Sequence, residues 1–219
     1  MKKIKSIAVM LIGASIACGL FSCSRDDVSS EDWVDLGLPS GLLWASCNIG
    51  ASAPEEPGDY YAWGETSTKT VYYDDNYKYY QGYQKITKYC NDPDYGYNGY
   101  TDNLTVLEPS DDVANIVLGD GARMPTKEEW KELLDNTERE TTYKNGKLGV
   151  LLTATNGNSI FIPAVGFSTD HIRNADYEIC YRSSSLDIQS PTGCWGYDGS
   201  TMTTCGRYAG YNVRAVKMP

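Results

Sequence analysis

The amino-acid sequence predicts an α+β fold, with few short helices set around small twisted antiparallel sheets joined by long loops. Three observations lead there. One stretch reads as a well-capped helix; several short apolar runs are punctuated by Gly, Pro and Asn; and one long tract is too poor in aliphatic residues to form a core of its own.

The helix is the stretch from Arg123 to Leu134. Thr126 can cap the first-turn N–H groups and Glu129, three residues on, can reach back to it, which makes a capping box. Pro125 keeps the entering chain extended. Trp130, Leu133 and Leu134 share one face at helical spacing, whereas Lys127, Glu128, Lys131 and Glu132 are left for solvent. Such a segment packs on a sheet.

At the amino end, Lys2, Lys3 and Lys5 precede an apolar run that ends at Phe21, the pattern of an export signal over residues 1–22. Leu20-Phe21-Ser22-Cys23 resembles a bacterial lipobox, so Cys23 is the expected lipidation site. Residues 23–32 then read as an acidic tether. It resembles the sorting signals of Bacteroidetes-type lipoproteins, which implies an outer-membrane protein, lipid-anchored and facing the cell exterior. A plain secreted protein is the simpler alternative.

Residues 33–219 have the length of a single domain. The formal charge of −10 becomes −13 once the three signal lysines are gone. That surface repels phosphate backbones, so no nucleic-acid partner is expected, and membrane contact is expected through the lipid alone. Seven cysteines and one histidine, with no Cys-x-x-Cys, argue against a zinc site, and no metal or other cofactor is expected.

Along the chain, Trp33 to Cys47 reads as two short strands about the Pro39-Ser40-Gly41 turn, and Tyr60 to Glu65 as a buried strand. Residues 66–103 hold ten of the eighteen tyrosines. This excursion is either an aromatic ligand-binding surface or a long loop packed down on the domain. Ser110 is the expected cap of a short helix reaching Leu118, with Asp111 and Asp112 in its first turn. Three strands follow the main helix, joined by Asn145-Gly146 and Asn156-Gly157 turns. Ile160-Phe161-Ile162-Pro163, the most apolar of them, is the expected central strand. A further hairpin runs from Gly193 to Gly206. If Gly199-Ser200 is its turn, Cys194 and Cys205 lie opposite each other and can form a disulfide.

Several of these pieces occur together in a known family. Residues Val34 to Ala45 (VDLGLPSGLLWA), Gly58 to Glu65 (GDYYAWGE), Arg123-Met124-Pro125-Thr126, Ser183-Ser184-Ser185 and Val213-Arg214-Ala215-Val216 resemble the Fibrobacter succinogenes major paralogous domain. The resemblance covers nearly all of residues 33–219. It implies a C-type-lectin-like fold of the kind seen in formylglycine-generating enzymes. The closely spaced cysteine pair of those enzymes is not reproduced, and neither are the calcium-and-sugar motifs of true C-type lectins.

The resemblance extends to lectin-fold proteins diversified by retroelements, which carry variable ligand-binding residues in this carboxy-terminal part. Adenine-directed mutagenesis cannot create Lys or Glu there, and residues 179–216 contain neither. On this reading the ligand-binding positions are Cys180, Arg182, Ile188, Thr192, Gly193, Cys194 and Gly196. Tyr197, Thr203, Thr204, Cys205, Gly206 and Tyr208 complete the set. Cys194 and Cys205 would then be chance arrivals rather than a bridge. The plainer alternative is a Gly/Ser/Thr-rich β segment.

No nucleophile–base pair accompanies His171, and Gly119-Asp120-Gly121 lacks the context of a nucleotide loop. The expected function is therefore non-catalytic, adhesin-like binding of a glycan or protein at the cell surface. Two alternatives are an enzyme related to formylglycine-generating oxidases, and a subunit or tip of a surface appendage.

Overall fold

The computed structural model describes residues 33–219; the expected signal, Cys23 and the tether lie outside the described residues. The strands in chain order are β1 (Trp33–Asp35), β2 (Leu43–Asn48), β3 (Tyr80–Gln81) and β4 (Lys85–Ile86). Helices α1 (Val113–Leu118) and α2 (Lys127–Asp135) come next. Then follow β5 (Thr137–Lys144), β6 (Lys147–Ala154), β7 (Ser159–Pro163), β8 (Phe167–Ser168) and β9 (Ile172–Arg173). The chain ends with β10 (Tyr181–Leu186), β11 (Gly193–Tyr197), β12 (Met202–Gly206) and β13 (Arg214–Lys217). The result is α+β: small antiparallel sheets, two short α-helices and long loops. Among the described residues no helix is long and apolar enough to cross a membrane.

Helix α2 starts as its sequence dictates. Thr126 Oγ1 accepts from the Glu129 amide at 3.2 Å, and the Thr126 amide donates to Glu129 Oε2 at 2.8 Å. Arg123 adds a two-pronged ion pair to the same carboxylate, at 2.6 and 2.5 Å. Trp130 and Leu133 are buried and Leu134 is half-buried. Each large apolar side chain so placed contributes roughly 1.5–3 kcal/mol. Trp130 meets Trp44 of β2 edge-on, with ring centroids 4.8 Å apart, and stacks on Tyr197 of β11 at 5.2 Å. Around them Leu152, Ile162, Tyr181 and Val216 complete the first core.

Sheet β5-β6-β7 carries both expected turns. Asn145 and Gly146 both have positive φ, 48° and 79°, as a two-residue hairpin requires. The expected place of Ile160 to Pro163 is corrected: β7 is an edge of this sheet and β6 is its centre. The apolar run reflects cover on both faces. Ile160 and Ile162 face the first core, while the Phe161 ring lies over Gly149, where a Cβ would come within 2.4 Å of it.

Two other local expectations are also corrected. The stretch from Tyr60 to Glu65 is buried but makes only a bridge at Tyr61, because Gly64 at φ 77° turns the chain. The short helix α1 is capped by Asp112, not Ser110. Pro109 to Asp111 close a separate 3-10 turn, after which Asp112 Oδ1 accepts from the Ala114 and Asn115 amides.

The tyrosine-rich excursion supplies a second core. Tyr72, Tyr77, Tyr79 and Tyr89 are buried with Trp63, Leu107, Val113 and Leu186. Tyr73, Tyr83, Tyr95 and Tyr100 remain exposed. Asp111 pins the excursion in place, accepting from Lys78 at 2.8 Å, Lys88 at 2.6 Å and Tyr89 Oη at 2.8 Å. Strand β10 separates the two cores. All six of its residues are buried, and Leu186 and Ser184 are hydrogen-bonded to the chain at Thr105 and Leu107.

Candidate functional site

Strands β10, β11 and β12 form one antiparallel sheet with β12 at its edge. The hairpin turns where the sequence indicated, so Cys194 and Cys205 are direct cross-strand partners. Burial then splits the thirteen expected ligand-binding positions into two groups.

Arg182, Cys194, Gly196 and Tyr197 are buried, so they do not lie on the exposed surface. Tyr197 packs on Trp130, and its hydroxyl donates to Gly199 O at 2.8 Å. At Gly196 an added Cβ would sit 2.4 Å from Tyr181 O, so backbone occupies the space a variable side chain would need. Arg182 is engaged within the fold. Its Nη2 donates to Gly206 O and Ala209 O, both at 2.6 Å, and its guanidinium lies 4.2 Å from the Tyr211 ring. Nη1 donates to Cys194 Sγ and, at 3.5 Å, to Cys205 Sγ.

The outer group is Ile188, Thr204 and Gly206, which are exposed, with Cys180, Thr192, Gly193, Thr203, Cys205 and Tyr208 half-buried. Two contacts tie this rim to the tyrosine-rich excursion: Tyr80 Oη donates to Thr192 O at 3.4 Å, and Asn91 Nδ2 to Ile188 O at 2.8 Å. On the opposite face of the hairpin Trp195 is paired with Thr204, and Lys127 Nζ stands 3.1 Å above the indole.

A second buried guanidinium anchors the sheet from below. Arg207 donates from Nε to Tyr77 Oη at 3.0 Å and from Nη1 to Tyr89 O at 3.0 Å and Pro191 O at 2.9 Å. Its Nη2 donates to Lys88 O at 3.0 Å. Arg214 is buried likewise, held by Asn48 Oδ1 and the carbonyls of Ala45 and Phe161. Among the described residues, none of the three buried arginines has a carboxylate in an ion pair. The sequence does not mark Arg207 or Arg214 as interior, since their acceptors are mostly backbone carbonyls, which every residue carries.

The two thiols are unlike each other. Their sulfurs are 3.8 Å apart. Burial pushes the Cys194 thiol well up, whereas the neighbouring Cys194 and the Arg182 guanidinium bring the Cys205 thiol down. Cys180 is raised by burial and by Glu178 beside it, to about 12. His171 is exposed next to Asp170. Among the described residues, no group of three or more His, Cys, Asp or Glu is arranged to hold a metal ion.

Comparison with protein-family models, with curated proteins and with solved structures returns no match.

Proposed function

We propose that this chain is a cell-surface lipoprotein of C-type-lectin-like fold that binds a glycan or a protein without transforming it. One observation carries the reading. The β10–β12 sheet is locked from inside by Arg182 and Arg207, while its edge strand and the adjoining loops leave Ile188 and Thr204 exposed and Thr192, Thr203 and Tyr208 half-buried. Side chains on such a rim can change without disturbing the core, and little conformational freedom is lost when a ligand settles on them. The mixture of hydroxyls, a tyrosine and an exposed isoleucine suits sugar faces or a polar protein surface. Lipidation at Cys23 and an outward-facing anchor belong to the same proposal.

The test has two arms. Protein applied to a glycan microarray should give a signal that Thr204→Lys with Ile188→Ala removes while the melting temperature is kept. Amplicon sequencing of the gene across isolates should place substitutions at Ile188, Thr192, Thr203, Thr204 and Tyr208, and none at Gly196 or Arg182. Evenly spread variation would sink the diversification part, and binding that survives the double variant would sink this surface as the site.

A further inference from the structure

We propose that Cys205 and Cys194 form a dithiol–disulfide exchange site, with Arg182 as the buried counter-ion of its reduced state. The inference stands whether or not the rim binds a ligand. The two cysteines are cross-strand partners with sulfurs 3.8 Å apart, and directly opposed strand residues have the Cα spacing a disulfide needs. They differ in access. Cys205 is half-buried on the edge strand, whereas Cys194 is fully enclosed. An outer thiol that meets a partner, and an inner thiol that resolves the mixed disulfide, is the division of labour exchange requires.

Arg182 decides the direction. One nitrogen, Nη1, reaches both sulfurs, so the guanidinium pairs with whichever carries the negative charge. Its remaining acceptors are the neutral carbonyls of Gly206 and Ala209, and its Nε is buried with no partner among the described residues. The groups facing the pair are Arg182, Arg207, Tyr211 and Cys180, with no carboxylate among the strongest influences on either thiol. Among the described residues no carboxylate forms an ion pair with Arg182, so the anion beside this buried cation is a thiolate of the reduced pair. Oxidation removes it and leaves a guanidinium uncompensated in the interior, which is costly. A disulfide whose reduced form is stabilised in this way is oxidising and easily reduced, unlike a structural staple.

The exchange balances with an external disulfide as oxidant. Cys205 thiolate attacks one sulfur of that disulfide and expels the other as a thiolate. Cys194 then attacks Cys205 Sγ, releasing the second external thiol and giving up its own proton to the departing pair. The Cys194–Cys205 bond is formed, the external disulfide is reduced to one thiol and one thiolate, and the reverse sequence hands the disulfide to a dithiol partner.

Two measurements on the full chain test this. In glutathione redox buffers, the equilibrium constant for oxidation should rise at least tenfold in Arg182→Met, because the reduced state loses its counter-ion. An unchanged or lower constant overturns the proposal. Iodoacetamide labelling of the wild-type protein, read by mass spectrometry, remains decisive if that variant does not fold. Cys205 should label before Cys194, with a rate midpoint below the ordinary thiol value of about 8.5. An ordinary midpoint, or prior labelling of Cys194, overturns it equally.

Discussion

Arg207 holds Trp63 by two independent contacts. The Trp63 amide donates to Arg207 O at 2.9 Å, and the Arg207 guanidinium lies 4.7 Å from the centre of the same indole. Through this pair the loop after β12 grips the second core and, by way of Lys88, Tyr89 and Pro191, the excursion and the rim loop together. Replacing Arg207 by Met removes the donor from the buried carbonyls of Tyr89 and Pro191 and from the partly buried one of Lys88, each buried loss costing about 1–3 kcal/mol. Urea denaturation of Arg207→Met should therefore show a loss of at least about 3 kcal/mol; wild-type stability would contradict the anchoring role.

Asp111 links stability to acid. Burial by itself would raise its carboxyl, but hydrogen bonds from Lys78 and Lys88 outweigh burial and hold it well below the usual carboxylate range. A depressed folded-state value stabilises the protein above the unfolded value of about 3.9, and the contribution is lost as pH falls through the folded value. The urea midpoint of the wild type should fall steadily below about pH 4. Asp111→Asn should be less stable at pH 6 and show a flatter acid slope; parallel curves would refute the linkage.

Gly196 and Gly193 offer a matched contrast on one strand. A Cβ at Gly196 would lie 2.4 Å from Tyr181 O, whereas at Gly193 the nearest atom is 3.4 Å away. Overpacking of this kind typically costs about 1–3 kcal/mol. Gly196→Ala should lower the melting temperature clearly and Gly193→Ala hardly at all. Equal effects would mean the β10–β11 contact is looser than described.

The cap of α2 is testable by itself. Thr126→Ala removes the acceptor of the Glu129 amide and should cost about 1 kcal/mol. Glu129→Gln also gives up the charge on the Arg123 pair, so it should cost more. A reversed order, measured by chemical denaturation, would show that the capping hydroxyl outweighs the ion pair.

Local physics made part of this fold legible. The capping box from Thr126, the positive-φ turn at Asn145-Gly146 and the pairing of Cys194 with Cys205 all depend on residues within about a dozen positions of one another. At that range periodicity and turn chemistry determine the outcome, so α2 and the hairpins are legible without any long-range contact. The cap of α1 departed from the same logic by two residues, because Pro109 to Asp111 close a separate 3-10 turn and leave Asp112 as the cap.

What only the tertiary structure decided is which polar and aromatic residues lie inside. Tyr77 and Tyr89 form a core because Arg207, more than a hundred positions away, brings a guanidinium among them. Arg182, which reads as a surface ligand contact, is interior because the carbonyls of Gly206 and Ala209 and two sulfurs converge on it. Burying a charge costs several kcal/mol unless its donors are met, and the acceptors here are mostly backbone carbonyls. Carbonyls carry no signature in a sequence; their convergence exists only once the chain has closed.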